Sequence, residues 1–453
     1  MPALADSLVT PYICWRISRR TVSRYNGCMK LALLGIDDDA LDLVRWAVAG
    51  GGHELVAAYD VGSRAAEVRA LAPRAQLNES WEALVLGSMA EAVIVGRGGA
   101  ELAGETGIAD SERRAEQLRK LVQAAVPLLV VCPACESIVG FEIEMIRRDA
   151  KAVIVPYVSQ AEHPAIRSLA EIVSWGESSP LGAVEQISLE REQADRSRPA
   201  VLEQLSRDLA AIRQLIGTIH SVSASGPAAS LGRDPLGPKL KELPSLANLS
   251  VHVVGDEGLS ARWSIGPALA RPSGRLTVTG QRGKAVLQMP NGEDWSLEVG
   301  GDNLARESFA ARPDPAGMFR KLSHAISTED FKDDEAWLAA ARDQEAAEAV
   351  DRSLARGRTI ELLGEEHTEE DSFKGVMAMG GCLLLALAVC TVFVATIVEG
   401  LRLPLRNWPV WKLWPVYLLA PIVVFLLLQL FQLAIKRETP DLRRLVGSED
   451  SPR

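Results

Sequence analysis

Histidine, cysteine and aromatic side chains are scarce in this chain, with six histidines, six cysteines and 5% Phe, Trp and Tyr among 453 residues. His53, His163, His220, His252, His324 and His367 show no metal-ligand spacing, so no metal centre is expected from them. Cys14, Cys28, Cys132, Cys135, Cys382 and Cys390 are scattered, and two of them lie inside an apolar run, which excludes a disulfide framework. A dense basic stripe is also missing. Asp and Glu number 59 against 49 Lys and Arg, a formal net charge of -10 that argues against a nucleic-acid partner. Arg16, Arg19, Arg20 and Arg24 near the N-terminus flank no long apolar core, so that stretch does not read as a secretory signal. Residues 1–28 fit no fold element and are expected to be a disordered lead-in or to precede the true start at Met29.

What is present begins at Lys30. Leu31 to Leu34 reads as a short buried parallel strand, Gly35 as a tight turn, and Leu41 to Ala49 carries helical apolar spacing. Three glycines at 50–52 stop that helix, and a second strand, Glu54 to Tyr59, ends in Asp60. Strand, glycine turn, helix, strand and acid is the layout of a dinucleotide-binding opening, with Asp60 placed to hold an adenosine ribose. The turn itself reads Gly35-Ile36-Asp37-Asp38-Asp39, so Asp37 stands where a second glycine would let the backbone touch the pyrophosphate. A carboxylate about 4 Å from a phosphate costs on the order of 4 kcal/mol at an effective dielectric near 20. The same acids suit a helix N-terminus with no ligand at all.

Alternation continues beyond Asp60, with helices expected at 64–71, from 81, at 111–125 and after Cys135, and strands at 91–95, 127–131 and 151–155. Such alternation predicts a doubly wound parallel sheet over residues 29–157. Residues 158–364 differ. A helix at 165–175, a strand at 184–190 and a long helix at 200–216 precede a Ser-, Gly- and Pro-rich loop at 222–247. Short alternating runs at 249–254, 259–265, 274–279, 284–289 and 294–299 then predict an antiparallel sheet, followed by a helix at 334–356.

An acidic hinge at 365–374 leads to an uncharged run at 375–398, a loop at 399–413 and a second apolar run at 414–435. Each run exceeds the roughly 20 residues that cross a hydrocarbon core, so two transmembrane helices are expected. Arg402, Arg406, Trp408, Trp411, Lys412 and Trp414 suit a membrane interface. Lys436, Arg437, Arg443 and Arg444 in the tail at 436–453 place the C-terminus and the globular part on the cytoplasmic side.

Three local patterns each carry two readings. Cys132-Pro133-Ala134-Cys135 is a redox pair or a set of packed small residues. Asp37-Asp38-Asp39 is a cation site or a solvated cap, and Arg97, in Gly96-Arg97-Gly98-Gly99 at a strand end, replaces phosphate contacts or forms a surface turn.

From Lys30 to Leu363 the order of these runs resembles the Gfo/Idh/MocA oxidoreductases. The likeness rests on Asp60-Val61, Leu129-Val130-Val131-Cys132-Pro133, Val155-Pro156-Tyr157 through His163-Pro164-Ala165, Gly274 to Gly280, and Ala347 to Arg358. It implies a Rossmann domain, a second α/β domain with an open, mostly antiparallel sheet, an NAD(P) cofactor, a sugar- or polyol-type substrate, and a homo-oligomer formed through that sheet. It also implies cofactor contacts at Gly35, Ile36, Asp60, Arg97 and Pro133. Cys132 stands where the family has its catalytic Lys, and Arg207 and Asp208 occupy or neighbour its His base. An Arg stays protonated at neutral pH and cannot serve as that base. The expectation is a membrane-anchored member with a degenerate dinucleotide site, a silent binding or scaffold module that holds NAD(P) weakly or not at all. The alternative is an active NAD(P)-dependent oxidoreductase using Asp208, Tyr157 or Cys132.

Overall fold

The computed structural model describes residues 28–362 except 79, 87–89, 98–106, 227–245, 247, 269–272, 301–304 and 329–334, and beyond them 389–393, 395–398, 400 and 419. The chain divides into two compact units, Met1–Leu363 and Gly364–Arg453.

The first unit opens with a six-stranded sheet built from β1 (Lys30–Leu34), β2 (Glu54–Tyr59), β3 (Gln76–Asn78), β4 (Ala92–Val95), β5 (Leu128–Val131) and β6 (Ile154–Tyr157). Every pairing is parallel and the order is β3-β2-β1-β4-β5-β6. Strands β4 and β5 are buried along their whole length, which is why they read as unbroken apolar runs. Four helices follow strands of this sheet in turn: α1 (Asp38–Ala49), α2 (Ala65–Leu71), α3 (Gly107–Gln123) and α4 (Ser137–Ala150). Helix α1 starts at Asp37, whose side chain accepts from the Ala40 amide, and Asp38 and Asp39 fill its first turn where the dipole favours them. The acids therefore do cap the helix.

Beyond α5 (Pro164–Ser174) lies a nine-stranded sheet in the order β14-β13-β12-β11-β7-β10-β9-β8-β15. Its strands are β7 (Val184–Gln193), β8 (Ser221–Ser225), β9 (Ser250–Val254), β10 (Ser260–Pro267), β11 (Ser273–Gly280), β12 (Lys284–Pro290), β13 (Trp295–Gly300), β14 (Ala305–Phe309) and β15 (Ile360–Glu361). All neighbours run antiparallel except β7 and β10. Alternate residues such as Leu276, Val278, Leu287 and Trp263 point into a core covered by α6 (Arg198–Ile216). Along α6, Val201, Leu205, Leu209, Ile212 and Ile216 recur at helical spacing and are buried there. Helix α7 (Ala316–Thr328) places Met318, Phe319 and Leu322 in the core of the first sheet. Helix α8 (Ala336–Arg356) packs on α4, α6 and β8, so it ties both sheets together. At the α4 contact a Cβ on Gly140 would come 2.9 Å from that of Ala341, and the Trp337 indole donates to the Gly140 carbonyl at 2.9 Å.

Several short elements depart from expectation. Trp81 to Leu84 is a 3-10 turn rather than the start of a helix. Strand β8 opens the stretch read as a loop, most of which lies outside the described residues. Strand β14 was not expected because four of its five residues are exposed, which leaves no alternation to read.

The expected multi-pass membrane localisation needs correcting. Among the described residues no helix is long and apolar enough to cross a membrane. Most of the runs at 375–398 and 414–435 lies outside the described residues. Apolar run length and the flanking Arg, Lys and Trp residues supplied that expectation, whereas a helical span needs about 20 consecutive residues in one helix. In the second unit the described helical residues are 389–393, 395–398, 400 and 419.

Candidate functional site

A cleft of about 1630 Å³ opens at the carboxyl ends of β1, β2 and β5 and is closed on its other side by β7, α6 and α8. In a sheet ordered 3-2-1-4-5-6 the strand order reverses between β1 and β4, which leaves a crevice at that place. Ile36, Asp60, Arg97, Pro133 and Arg207, all singled out from the sequence, line this cleft. Gly35, Cys132 and Asp208 do not.

Gly35 has φ +72, and a Cβ there would run into the Arg114 guanidinium and lie 3.1 Å from the Gly96 carbonyl oxygen. The glycine is required by both backbone and space. The anion position at the start of α1 is filled from within. Asp37 accepts from the Ala40 amide at 2.9 Å through Oδ1, and from the Arg97 amide at 2.5 Å and the Arg97 Nε at 3.3 Å through Oδ2. Arg97 also donates to Asp39 at 2.8 Å and to Glu203 of α6 at 2.5 Å. One guanidinium, 13% exposed, is thus clasped by three carboxylates from two layers of the protein. Burial pushes the Asp39 and Glu203 carboxyls up, and the Arg97 charge opposes that shift. Among the described residues no group of three His, Cys, Asp or Glu is placed to hold a metal ion.

At the end of β2, Asp60 is held by the Arg113 guanidinium at 2.6 Å and the Gln117 amide at 2.7 Å. Gly62 and Ser63 lie beside it on the cleft wall. The turn at Asp37 does not fit a pyrophosphate, because the amides and the cation that would receive one already serve a carboxylate.

The candidate catalytic positions are occupied structurally. Asp208 is fully buried, accepts from Arg191 Nε at 2.8 Å and Nη2 at 2.5 Å, and receives further hydrogen bonds from Gln204 and the Trp263 indole. Arg207 pairs with Glu203. Cys132 is a buried free thiol pushed well up by burial, and burial likewise pushes Cys135 up to about 12, so neither is a thiolate at neutral pH. Burial also raises Tyr157, which stays a phenol. His163 is buried, accepts from the Ala165 amide at 3.2 Å through Nδ1, lies 2.9 Å from the Ala310 carbonyl through Nε2, and stacks on Trp295. Burial lowers its pKa to about 4.

Neither protein-family models nor curated proteins match this chain. Solved structures do. A candidate NADPH-dependent oxidoreductase from Desulfitobacterium hafniense is similar over 74% of this chain and 98% of its own, at 14% identity and a TM-score of 0.58. An oxidoreductase from Agrobacterium radiobacter, in complex with NAD+, L-tartaric acid and magnesium, is similar over 74% and 98%, at 13% identity and a TM-score of 0.56. KijD10, a 3-ketoreductase from Actinomadura kijaniata in complex with NADP and TDP-benzene, is similar over 72% and 98%, at 14% identity and a TM-score of 0.55. At these identities the likeness shows the fold: a parallel Rossmann-like sheet with a second, mostly antiparallel sheet. The resemblance to Gfo/Idh/MocA oxidoreductases agrees with these neighbours at that level.

Residues that carry the geometry but were not singled out from the sequence include Glu203, Arg114, Gln193 and Gln344. Glu203 meets Arg97 and Arg114 meets the Leu34 carbonyl across long stretches of sequence, and no local pattern marks any of the four.

Proposed function

We propose that this is an oxidoreductase-fold protein whose cleft binds a sugar-like ligand, holds NAD(P) weakly or not at all, and transfers no hydride. The Arg97 clasp carries this reading: its carboxylates fill the position a pyrophosphate would take. Support also comes from Asp208, whose acceptor capacity is spent on Arg191, Gln204 and Trp263, and from Cys132 in place of a lysine. The second reading, an active NAD(P)-dependent oxidoreductase on a sugar- or polyol-type substrate, is favoured by the comparisons. The neighbours include structures solved with NADP or NAD+, and Asp60 lies on the cleft wall at the end of β2. In that case Tyr157, a phenol on the cleft wall, is the group available to hold or donate a proton.

Calorimetric titration of NADH and NADPH into the full chain separates the two. The first reading expects no saturation below about millimolar cofactor, and micromolar binding followed by substrate-dependent oxidation of NADPH would establish the second.

A further inference from the structure

A second cavity, of about 360 Å³, lies between the last turn of α6 and the first turns of α8 and shares no lining residue with the cleft. Small-molecule sites span about 300 to 1,000 Å³, so this one has room for a small ligand. Arg213, Thr218, Asp256, Glu335, Arg342 and Asp343 supply its polar wall, from α6, the turn after β9 and the start of α8. The Arg213 guanidinium is anchored on one side only. Its Nε donates to both oxygens of the buried Asp343, at 2.9 and 3.1 Å, and among the described residues its two terminal nitrogens have no acceptor. A guanidinium holds its donors in a fixed planar fork, so the open edge formed by those two nitrogens is shaped for a carboxylate bound through two parallel hydrogen bonds. Acids stand on the same wall. Asp256 accepts from the Thr218 amide at 2.8 Å through Oδ2 and lies 2.7 Å from His220 Nε2 through Oδ1; it is half-exposed, and each oxygen keeps a further lone pair. Glu335 is exposed, and its side chain makes no capping hydrogen bond to α8.

We propose that this second cavity binds a free α-amino acid, and a cationic one in preference. The carboxylate of the ligand takes the open edge of Arg213, and its ammonium groups meet Asp256 and Glu335. Both signs of charge are needed. A simple anion would answer Arg213 but face the two acids, and a simple cation would answer the acids but leave the guanidinium edge unused. The preference for a cationic side chain follows from the lining, where Arg213 and Arg342 stand against Asp256, Glu335 and Asp343 and leave one negative charge over. A lysine-type ligand, with one carboxylate and two ammonium groups, carries the single positive charge that balances it. Nothing in the arrangement calls for a nucleotide or a sugar.

The test is a calorimetric titration of the full chain with L-lysine, L-glutamate and cadaverine, the last carrying the two ammonium groups of lysine without its carboxylate. Saturable binding of L-lysine is the expected result, with L-glutamate and cadaverine each about tenfold or more weaker. Cadaverine thereby tests the Arg213 edge without a substitution that would strand the buried Asp343. The Glu335→Gln variant changes an exposed side chain, so its melting temperature is expected to match the parent while its affinity for L-lysine falls about threefold or more. Equal affinity for cadaverine and L-lysine would show that Arg213 takes no part and would overturn the proposal. So would unchanged L-lysine affinity in Glu335→Gln, which would put the ligand elsewhere on the chain, and so would the absence of saturation by L-lysine below about 10 mM. Each of these failures leaves the reading of the cleft standing, because the two sites have no lining residue in common.

Discussion

Replacing Asp208 with alanine is expected to lower the free energy of unfolding by about 3–5 kcal/mol, measured by urea denaturation of the isolated variant. The carboxylate is fully buried, and four donors converge on it: two from Arg191, one from Gln204 and one from the Trp263 indole. Removing it leaves the Arg191 charge, 11% exposed, without its counter-ion, and leaves the indole N–H without an acceptor in the core. The network joins β7, α6 and β10, so its loss is felt across the whole second sheet. A change below about 1 kcal/mol would mean that Asp208 is a loosely held group and would restore it as a candidate base.

Stability is also expected to fall by about 3 kcal/mol as pH is lowered from about 7 to about 4, through His163 alone. In the folded chain Nδ1 must accept from the Ala165 amide, which only an unprotonated ring can do, and Trp295 packs against its face. The folded pKa of about 4 lies below the unfolded value of about 6.5, so the unfolded chain binds the extra proton across that window. This contribution is fully present above about pH 6.5 and is lost progressively as pH falls through the window. His163→Asn keeps an oxygen to cap α5 but has no titrating ring. Its stability relative to the parent should therefore rise on acidification, as read from denaturation curves at several pH values. Parallel pH profiles for the two proteins would contradict this.

Much of the architecture was legible because its signals are local. Gly35, the run at 41–49 and the glycines at 50–52 announce strand, turn, helix and stop within twenty or so residues, and Gly357 marks the end of α8 with φ +62. The acids at 37–39 could be read as a helix cap for the same reason. What was not legible depends on pairs distant in the chain. Nothing near Arg97 announces that its partner will be Glu203, and Gln344 meets the cleft only because α8 packs against β6 at the first sheet's edge. Asp208 showed a carboxylate near the family's base, yet only the fold reveals that Arg191 and Trp263 consume it. The apolar runs near the C-terminus misled in a different way. Hydropathy was read as a pair of spans, and among the described residues no helix has the required length.

The measurement that bears most directly on the closed phosphate turn is the affinity of NADPH for the parent protein and for its Asp37→Gly variant, titrated side by side. Asp37→Gly removes the carboxylate that occupies the start of α1 and releases the Arg97 amide and guanidinium toward that position. The parent is expected to show no saturation below about millimolar NADPH, and the variant to gain affinity by at least about tenfold. Micromolar binding by the parent, unchanged or weakened in the variant, would show that the turn accepts a pyrophosphate with Asp37 in place.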